Sequence, residues 1–440
     1  MYIKKNLILF TFIITTFFCM CFLLCNVTLK SNLNNIPNLL IFIFSLLIFI
    51  ASLFSIVGTG LQTYNLFAFT FFLFLCLNTF NLSLLQIEKT FMDIYYYFFG
   101  SVVFILCLYL GEKVLLNKNK KIKIKVKGFF EPNKMVVILL ILYFLIQFII
   151  YTKVGFAFLS MENNLRFLDR SAYRIQGLSG IVSIVKWILL MFIPVIKRKR
   201  KLLVIISLIV FDGILSVSRG DISRVILYLI ILWISNLWTN KKTINKKEMI
   251  KKSLIGLAFI ILFLIIFSIL GNIRQGIGDY SFSITKLSQG RVNSDIVNWL
   301  YTYTSINFDV LLKYKNFIPI NFAVQLFLPL FRLFGQNNLV DHYLSIADNI
   351  SISGFNACTF IGTAIVDFGA LYFVELGIMG LSIGIFMRLI KNSTRFIGIK
   401  NFVYLMISLL IFGNYIFSPN YFYSILGAYV LLCLCKTKER

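Results

Sequence analysis

The stretch PNLLIFIFSLLIFIASLFSIV, residues 37–57, decides the fold class, because its 21 residues include no charged side chain. At about 1.5 Å per helical residue, a run of this length crosses the roughly 30 Å hydrocarbon core of a bilayer. Similar runs recur along the chain of 440 residues, in which 59% of residues are hydrophobic and only 14% are charged. Soluble domains carry about 25% charged residues. The sequence therefore predicts an all-α, polytopic integral membrane protein, with residues 1–440 forming a single membrane domain.

Twelve transmembrane helices are predicted, at about 6–25, 37–57, 63–80, 92–112, 135–152, 179–196, 202–217, 222–238, 253–271, 370–390, 401–417 and 421–435. Five of the segments on one side of these spans are rich in Lys and Arg: KNKKIKIKVK, KRKRK, KKTINKKEMIKK, KNSTRFIGIK and KTKER. The positive-inside bias places them, and both termini, in the cytoplasm. The same bias accounts for the net charge of +26, so no nucleic-acid partner is expected.

Two segments predicted on the outer side differ from the other connections. Residues 153–178 form a medium loop in which Arg166, Arg170 and Arg174 repeat every four residues, a spacing that places them on one helix face. Residues 272–369 form a large loop rich in aromatic and apolar residues, which argues against disorder. Within it, NFAVQLFLPLFRLFG (321–335) is interrupted by proline and arginine. It predicts an interfacial or re-entrant helix, with a further span as the alternative.

The stretch SVSRGDISRVIL (216–227) places charges at a seam between two apolar runs. We expect an outer hairpin here, with Gly220 in the tight turn and Ser218 or Asp221 capping the returning helix. The free N–H groups of that helix start would then lie beside Arg219 and Arg224, which is an arrangement suited to a phosphate. The alternatives for Arg224 are extension to the membrane interface and pairing with Asp221 three residues earlier.

Two charged residues are predicted deeper in the membrane. Lys186 and Asp212 lie at similar depths, about 10 and 8 Å below the outer ends of adjacent antiparallel helices. We expect an intramembrane ion pair, which is by default a functional-site hypothesis, although a structural pair is equally compatible with the sequence.

The large loop carries further candidate residues. Arg274 in GNIRQG and Arg291 in SQGRVN lie beside glycines, and arginine offers bidentate contacts to phosphate oxygens. His342 is the only histidine, and its ordinary pKa near 6.5 suits a general base. There is no DxD or CxxC motif, and only Cys358 of the eight cysteines falls in a predicted loop. No metal or cofactor is therefore expected.

Three sequence features together resemble a known family. SVSRGDI opens a returning helix, glycines enter a span after the large loop in GTAIVDFGALYFVELGIMGLSIGIF, and Arg166 is followed after ten residues by Gly177. With about twelve spans and two unequal outer loops, the chain resembles the bacterial oligosaccharide repeat-unit polymerases, the Wzy-type O-antigen polymerase family. The resemblance implies a GT-C-type glycan transferase of the bacterial inner membrane, with its two large loops in the periplasm.

The resemblance further implies a metal-independent glycosyltransferase that joins undecaprenyl-pyrophosphate-linked repeat units at the periplasmic face. Its expected partners are that lipid-linked glycan, the bilayer and a chain-length regulator. In this interpretation Arg219, Arg274 and Arg291 stabilise the departing pyrophosphate, and His342 acts as a base or positions the acceptor. The substrate-binding residues would be Arg166, Arg170, Arg174, Asp221 and Arg224, and Tyr301, Tyr303 and Tyr343 either stack on sugars or pack in the core. An O-antigen ligase and a lipid-linked oligosaccharide flippase are the alternatives, although a flippase is expected to have short loops on both faces.

Overall fold

The computed structural model describes residues 36–83, 86–113, 128–155, 174–175, 177–196, 199–216, 218–239, 295–315, 324–336, 338, 341–342, 358–391 and 393–436. Within these ranges the regular secondary structure is helical, and the only β-type pairing is an isolated parallel bridge between Phe130 and Cys435. The all-α prediction is therefore confirmed for the described part of the chain.

The helices are numbered here in chain order. They are α1 (Ile36–Thr59), α2 (Thr63–Asn78), α3 (Phe91–Lys113), α4 (Pro132–Val154), α5 (Leu178–Phe192), α6 (Lys199–Leu215), α7 (Arg219–Thr239), α8 (Asp295–Tyr314), α9 (Val324–Leu333), α10 (Phe360–Phe368), α11 (Tyr372–Ile390), α12 (Ile397–Ser408) and α13 (Pro419–Leu434). A π-helical segment, Tyr95–Phe99, interrupts α3, and a 3-10 turn, Gly369–Leu371, joins α10 to α11.

Five stretches of the described residues are long and apolar enough to cross a membrane: Ile36–Gly58, Phe91–Lys113, Pro132–Val154, Leu178–Val195 and Phe360–Ile390. One side of α4 exposes a row of large apolar side chains, including Phe144 and Phe148. Such a row is typical of a surface in contact with lipid, because a soluble monomer rarely exposes one. The protein is thus consistent with a membrane environment. The predicted spans 6–25 and 253–271 lie outside the described residues, so the total of twelve stays a prediction.

The described residues form two compact units. The first comprises the described parts of Met1–Lys120, Lys286–Leu389 and Met406–Phe417, and the second those of Lys121–Thr285, Ile390–Leu405 and Ser418–Arg440. In the first unit, the aromatic rings of Phe67, Phe71, Phe104 and Phe360 pack together, with centroids 4.7 Å apart for Phe67 and Phe104. These rings join α2, α3 and α10 through buried apolar surface.

Close backbone contact between α3 and α11 depends on glycine. A Cβ atom added at Gly384 would lie 2.6 Å from the carbonyl oxygen of Leu108, and one added at Gly111 would lie 2.7 Å from that of Leu381. Small residues at a helix interface allow this approach within a membrane, where van der Waals packing drives helix association. The glycines that the sequence places in the span after the large loop therefore serve helix packing.

The second unit is arranged around α5. Helix α4 packs against α5, α5 packs against α13, and α6 packs against α7. Trp187 of α5 is fully enclosed by aromatic neighbours, with ring centroids 5.9 Å from Phe402 and 5.6 Å from Tyr421. A Cβ atom at Gly398 would lie 1.7 Å from the carbonyl oxygen of Met191, so α12 and α5 meet backbone to backbone.

The predicted large loop, 272–369, contains more helix than the sequence analysis expected. Helix α8 has 20 residues and packs against α2, and the span predicted at 370–390 begins ten residues earlier, at Phe360. The polar residues in DIVNWLYTYTSINFDVLLKY interrupt the apolar run, so hydropathy alone does not reveal this helix. Its residues 305–312 are nevertheless all buried, polar ones included. Helix α9 does fall within the predicted 321–335 segment, and its ten residues are too short to cross a bilayer.

Candidate functional site

The hairpin between α6 and α7 differs in detail from the predicted turn. The backbone N–H of Ser216 donates to the Asp212 carbonyl, and that of Ser218 donates to the Gly213 carbonyl at 2.7 Å, so the chain turns before Ser218. Gly220 is the second residue of α7, and it is not among the residues with positive φ. The prediction that Gly220 forms the tight turn was therefore wrong. A Cβ at Gly220 would lie 3.1 Å from an Arg224 guanidinium nitrogen, so the glycine leaves room for that side chain.

Four charged side chains meet beside this hairpin, and we call them the charge cluster: Lys186, Asp212, Asp221 and Arg224. The Lys186 Nζ donates to Asp212 Oδ2 at 3.0 Å and to Asp221 Oδ2 at 2.5 Å. Arg224 in turn donates to the second oxygen of Asp221, at 3.1 Å. The predicted Lys186–Asp212 ion pair is confirmed, and so is the contact between Arg224 and Asp221.

Two neutral side chains of α4 also donate hydrogen bonds to Asp212. The amide of Gln147 donates to Asp212 Oδ1 at 2.9 Å, and the hydroxyl of Tyr151 donates to the same oxygen at 3.1 Å. These donors matter because a buried carboxylate is tolerated only when its lone pairs are satisfied. Neither donor was predicted from the sequence, although Gln147 stands out as a glutamine inside the apolar run of α4.

The Arg224 side chain is held from the other side by an aromatic ring. Its guanidinium carbon lies 5.4 Å from the ring centroid of Tyr421, in the first turn of α13, which is a cation–π arrangement. Only 16% of the Arg224 side chain is exposed. Contacts with Asp221 and Tyr421 therefore fix the orientation of the Arg224 guanidinium group.

The charge cluster is electrically balanced, since two cations face two carboxylates. Asp221 lies in the first turn of α7, where a helix dipole favours negative charge. The sequence predicted a phosphate at this helix start. In this structure the negative charge there is the carboxylate of Asp221. Lys186 holds the far oxygen of that carboxylate, which leaves Arg224 as the cation nearest the exposed edge of the cluster.

The other predicted site residues are distributed as follows. Arg219 is the first residue of α7, although its side chain lies outside the described residues. Arg174 is exposed just before α5. His342 is exposed in the first unit, next to Asp341, which receives a 3.1 Å hydrogen bond from Arg332. Five of the predicted arginines and tyrosines lie outside the described residues: Arg166, Arg170, Arg274, Arg291 and Tyr343.

The two described tyrosines proposed for sugar stacking fit the packing alternative. Tyr301 is buried in α8, where its hydroxyl donates to the Gln86 side chain at 2.8 Å and accepts from the Leu82 backbone at 3.1 Å. Burial raises the pKa of its phenol. Tyr303 lies against Phe412, with ring centroids 6.4 Å apart.

The first unit contains buried charges that the sequence analysis did not single out. Lys89 forms an ion pair with Asp309 of α8, and both side chains are almost completely enclosed. Asn78 also donates to Asp309, at 2.6 Å. Two further carboxyl groups, Asp367 of α10 and Glu375 of α11, are fully buried. The signal for Asp309, Asp367 and Glu375 was an acidic residue inside an apolar stretch.

Comparisons with known proteins add no assignment, since no protein-family model, curated protein or solved structure matches the chain. Within the described ranges, no group of three or more His, Cys, Asp and Glu side chains is placed to hold a metal ion. We therefore take the charge cluster as the candidate site, because its charged side chains are in direct contact and its residues Asp221 and Arg224 were predicted to bind substrate.

Proposed function

We propose that the protein is a glycosyltransferase that polymerises lipid-pyrophosphate-linked oligosaccharide repeat units at the outer face of the bacterial cytoplasmic membrane. The observation that supports this proposal is the oriented Arg224 guanidinium beside the start of α7. The sequence resemblance to the Wzy-type polymerases supplies the substrate, an undecaprenyl-pyrophosphate-linked glycan, and Arg219 opens the same helix.

In the charge cluster, each side chain orients the next through a hydrogen bond or ion pair. Gln147 and Tyr151 orient Asp212, Asp212 and Asp221 hold Lys186, and Asp221 orients Arg224. A guanidinium has five N–H donors, so contact with Asp221 and contact with a phosphate oxygen are compatible. In the proposed reaction, the growing chain leaves its lipid pyrophosphate and is transferred to a hydroxyl of the incoming unit.

Stabilisation of the departing pyrophosphate is the largest requirement of this reaction. An arginine whose orientation is set in advance stabilises the developing negative charge without reorganisation at the moment of transfer. We assign Arg224 and Arg219 to this role, and Arg274 and Arg291 of the large loop are candidates for the same leaving group. His342 stays a candidate for the acceptor hydroxyl.

The test is a gel of surface glycan from a host strain that lacks the gene and carries plasmid-borne variants. We expect Arg224→Ala to remove the long-chain ladder while a single repeat unit stays attached, because losing one oriented donor costs about 100-fold or more in rate. Arg224→Lys keeps the charge but loses the planar donor set, and we expect short chains only.

Arg332→Ala is the matched control, because Arg332 also bonds an aspartate at 3.1 Å but does so at an exposed site. It should leave the ladder unchanged. A normal ladder from Arg224→Ala, with equal protein in the membrane, would contradict the proposed role of Arg224. If the strain lacking the gene accumulates lipid-linked polymer that is never attached, the protein is a ligase instead.

A transporter of lipid-linked oligosaccharides is the second candidate, and the buried ions favour it. Lys186 is 5% exposed in a candidate span, and intramembrane charges often line translocation pathways. For this candidate, single lipid-linked units would accumulate on the cytoplasmic side in the strain without the gene. Protection of those units from an external glycosidase in spheroplasts would distinguish it from the polymerase.

A further inference from the structure

Three separate segments of the second unit meet where α4 begins. The backbone N–H of Lys436, just after α13, donates to the Phe130 carbonyl at 2.6 Å, so the chain that follows α13 lies alongside the chain that precedes α4. The side chain of Lys201, in the first turn of α6, donates to the Asn133 carbonyl at 3.2 Å. Segments that are far apart in the sequence are therefore held together at one place.

Four basic side chains lie at this meeting point, and we call them the basic junction: Lys134, Arg200, Lys201 and Lys436. Three of them, Lys134, Arg200 and Lys436, are exposed, and their side chains form no hydrogen bond or ion pair within the part of the chain that the structure describes. Glu131, also exposed, is the one acid among residues 128–136, 199–203 and 434–436. The basic junction therefore carries an excess of positive charge that faces its surroundings.

The surface next to the basic junction is apolar. On α4, Ile138 is exposed one turn after Lys134, and on α6, Leu203 and Val204 are exposed within a turn of the basic end of the helix. Phe129, just before α4, is 74% exposed. A phospholipid presents the matching order of groups, with a phosphate next to acyl chains. A soluble anion would match the cations but not the apolar surface.

The predicted orientation places the basic junction at a negatively charged membrane surface. Helix α4 is long and apolar enough to cross the membrane, and the positive-inside bias predicts its beginning to be cytoplasmic. Helix α6 runs in the same direction, because Lys201 meets Asn133 at this end and Asp212 meets Gln147 and Tyr151 further along. Anionic lipids give the cytoplasmic leaflet a negative potential that attracts basic residues close to helix ends.

We propose that the basic junction binds the head group of an anionic phospholipid in the cytoplasmic leaflet. Lys134, Arg200 and Lys436 contact the head group, where the arginine offers a planar pair of donors and each lysine a compact charge. The acyl chains lie along the exposed apolar side chains of α4 and α6. The site is at the opposite end of α4 from the charge cluster, and it goes beyond the glycan transfer proposed above, since it assigns the protein a lipid that is not its substrate.

Lipid binding to the purified full-length protein tests the proposal, measured by native mass spectrometry in detergent. The probe is dioleoylphosphatidylglycerol, and the reference is dioleoylphosphatidylcholine, which has the same acyl chains and no net charge. Each cation beside an anionic lipid surface contributes about fivefold in affinity. We therefore expect the first phosphatidylglycerol to bind about tenfold or more tightly than the first phosphatidylcholine.

Lys134→Gln and Lys153→Gln form a matched pair, because both lysines are exposed and they lie at opposite ends of α4. We expect Lys134→Gln to weaken phosphatidylglycerol binding about fivefold and Lys153→Gln to leave it unchanged. The triple variant Lys134→Gln/Arg200→Gln/Lys436→Gln should bind the two lipids with similar affinity. Its three side chains are exposed, so the fold should persist, and circular dichroism checks that it does.

Equal affinity of the wild-type protein for the two lipids would overturn the proposal, and this comparison needs no variant. Equal weakening by Lys134→Gln and Lys153→Gln would do the same, because the effect would then belong to the overall charge of the protein. Displacement of phosphatidylglycerol by excess inorganic phosphate would assign the cations to a soluble anion instead of a lipid. None of these results depends on glycan transfer, which the gel of surface glycan tests separately.

Discussion

Replacing Lys186 with methionine is the sharpest test of how the second unit is stabilised. Methionine preserves most of the side-chain volume but removes the one cation that joins Asp212 and Asp221, at 3.0 and 2.5 Å. Among the described residues, Asp212 is then left at 8% side-chain exposure with neutral donors, among them Gln147 and Tyr151. Asp221 keeps its 3.1 Å contact with Arg224.

The expected magnitude follows from the burial of the pair. Removing one partner of a buried ion pair costs about 3–5 kcal/mol, because a charge is left without compensation. Asp212 keeps two hydrogen bonds, so we expect about 3 kcal/mol for Lys186→Met. The double variant Lys186→Met/Asp212→Asn removes the stranded charge as well and should recover at least half of that loss.

The assay is denaturant unfolding of the purified protein in detergent, followed by tryptophan fluorescence, since Trp187 adjoins the substitution. Lys201→Met is the matched control. It makes the same chemical change in the same unit, but Lys201 forms a hydrogen bond to the Asn133 carbonyl at 3.2 Å, which is worth about 1 kcal/mol. If Lys186→Met costs no more than Lys201→Met, or if the double variant is no more stable than the single one, Lys186 does not stabilise the unit by compensating buried carboxylates.

Two further predictions concern packing and reactivity. Gly384→Ala should destabilise the protein by about 1–3 kcal/mol, because the added Cβ would lie 2.6 Å from the Leu108 carbonyl oxygen. Thermal unfolding checks this, with Gly58→Ala as the control because a Cβ there meets nothing within 4 Å. Equal melting temperatures for the two variants would contradict the prediction. Burial raises the pKa of the Cys358 thiol, so we expect maleimide to modify it at pH 8 at least tenfold more slowly than an exposed cysteine in Asp341→Cys. Comparable rates, measured by peptide mass spectrometry, would show that the thiol is accessible.

The membrane helices were largely predictable, because length and hydropathy determine them directly. The span predicted at 37–57 is α1, and the one at 179–196 is α5 with its terminal 3-10 turn. Helix α12 ends at Ser408, although an apolar span was predicted at 401–417. The residues after it form turns around Gly413, at φ 142°, so uniform apolar composition hid a change of backbone direction.

The charge cluster was predictable in part. The Lys186–Asp212 pair was predicted from the depth of the two residues below the outer ends of adjacent helices. That depth follows from the number of residues between each side chain and the helix end. The contact between Lys186 and Asp221 was missed because it depends on where the α6–α7 hairpin turns, and a glycine at position 220 suggested the wrong place. The stacking of Arg224 on Tyr421 joins residues almost two hundred positions apart, and no local pattern in the sequence indicates it.

The bridging role of Lys186 also has a consequence for how the chain enters the membrane. Lys186 precedes its partners Asp212 and Asp221 by 26 and 35 residues, so it emerges from the ribosome well before either one. A lone lysine near the centre of a helix opposes insertion by about 2.5–3.5 kcal/mol. We therefore expect α5 to wait at the translocation channel until α6 and the start of α7 have been synthesised. The three helices would then pass into lipid together, which makes this part of the protein a unit of biogenesis.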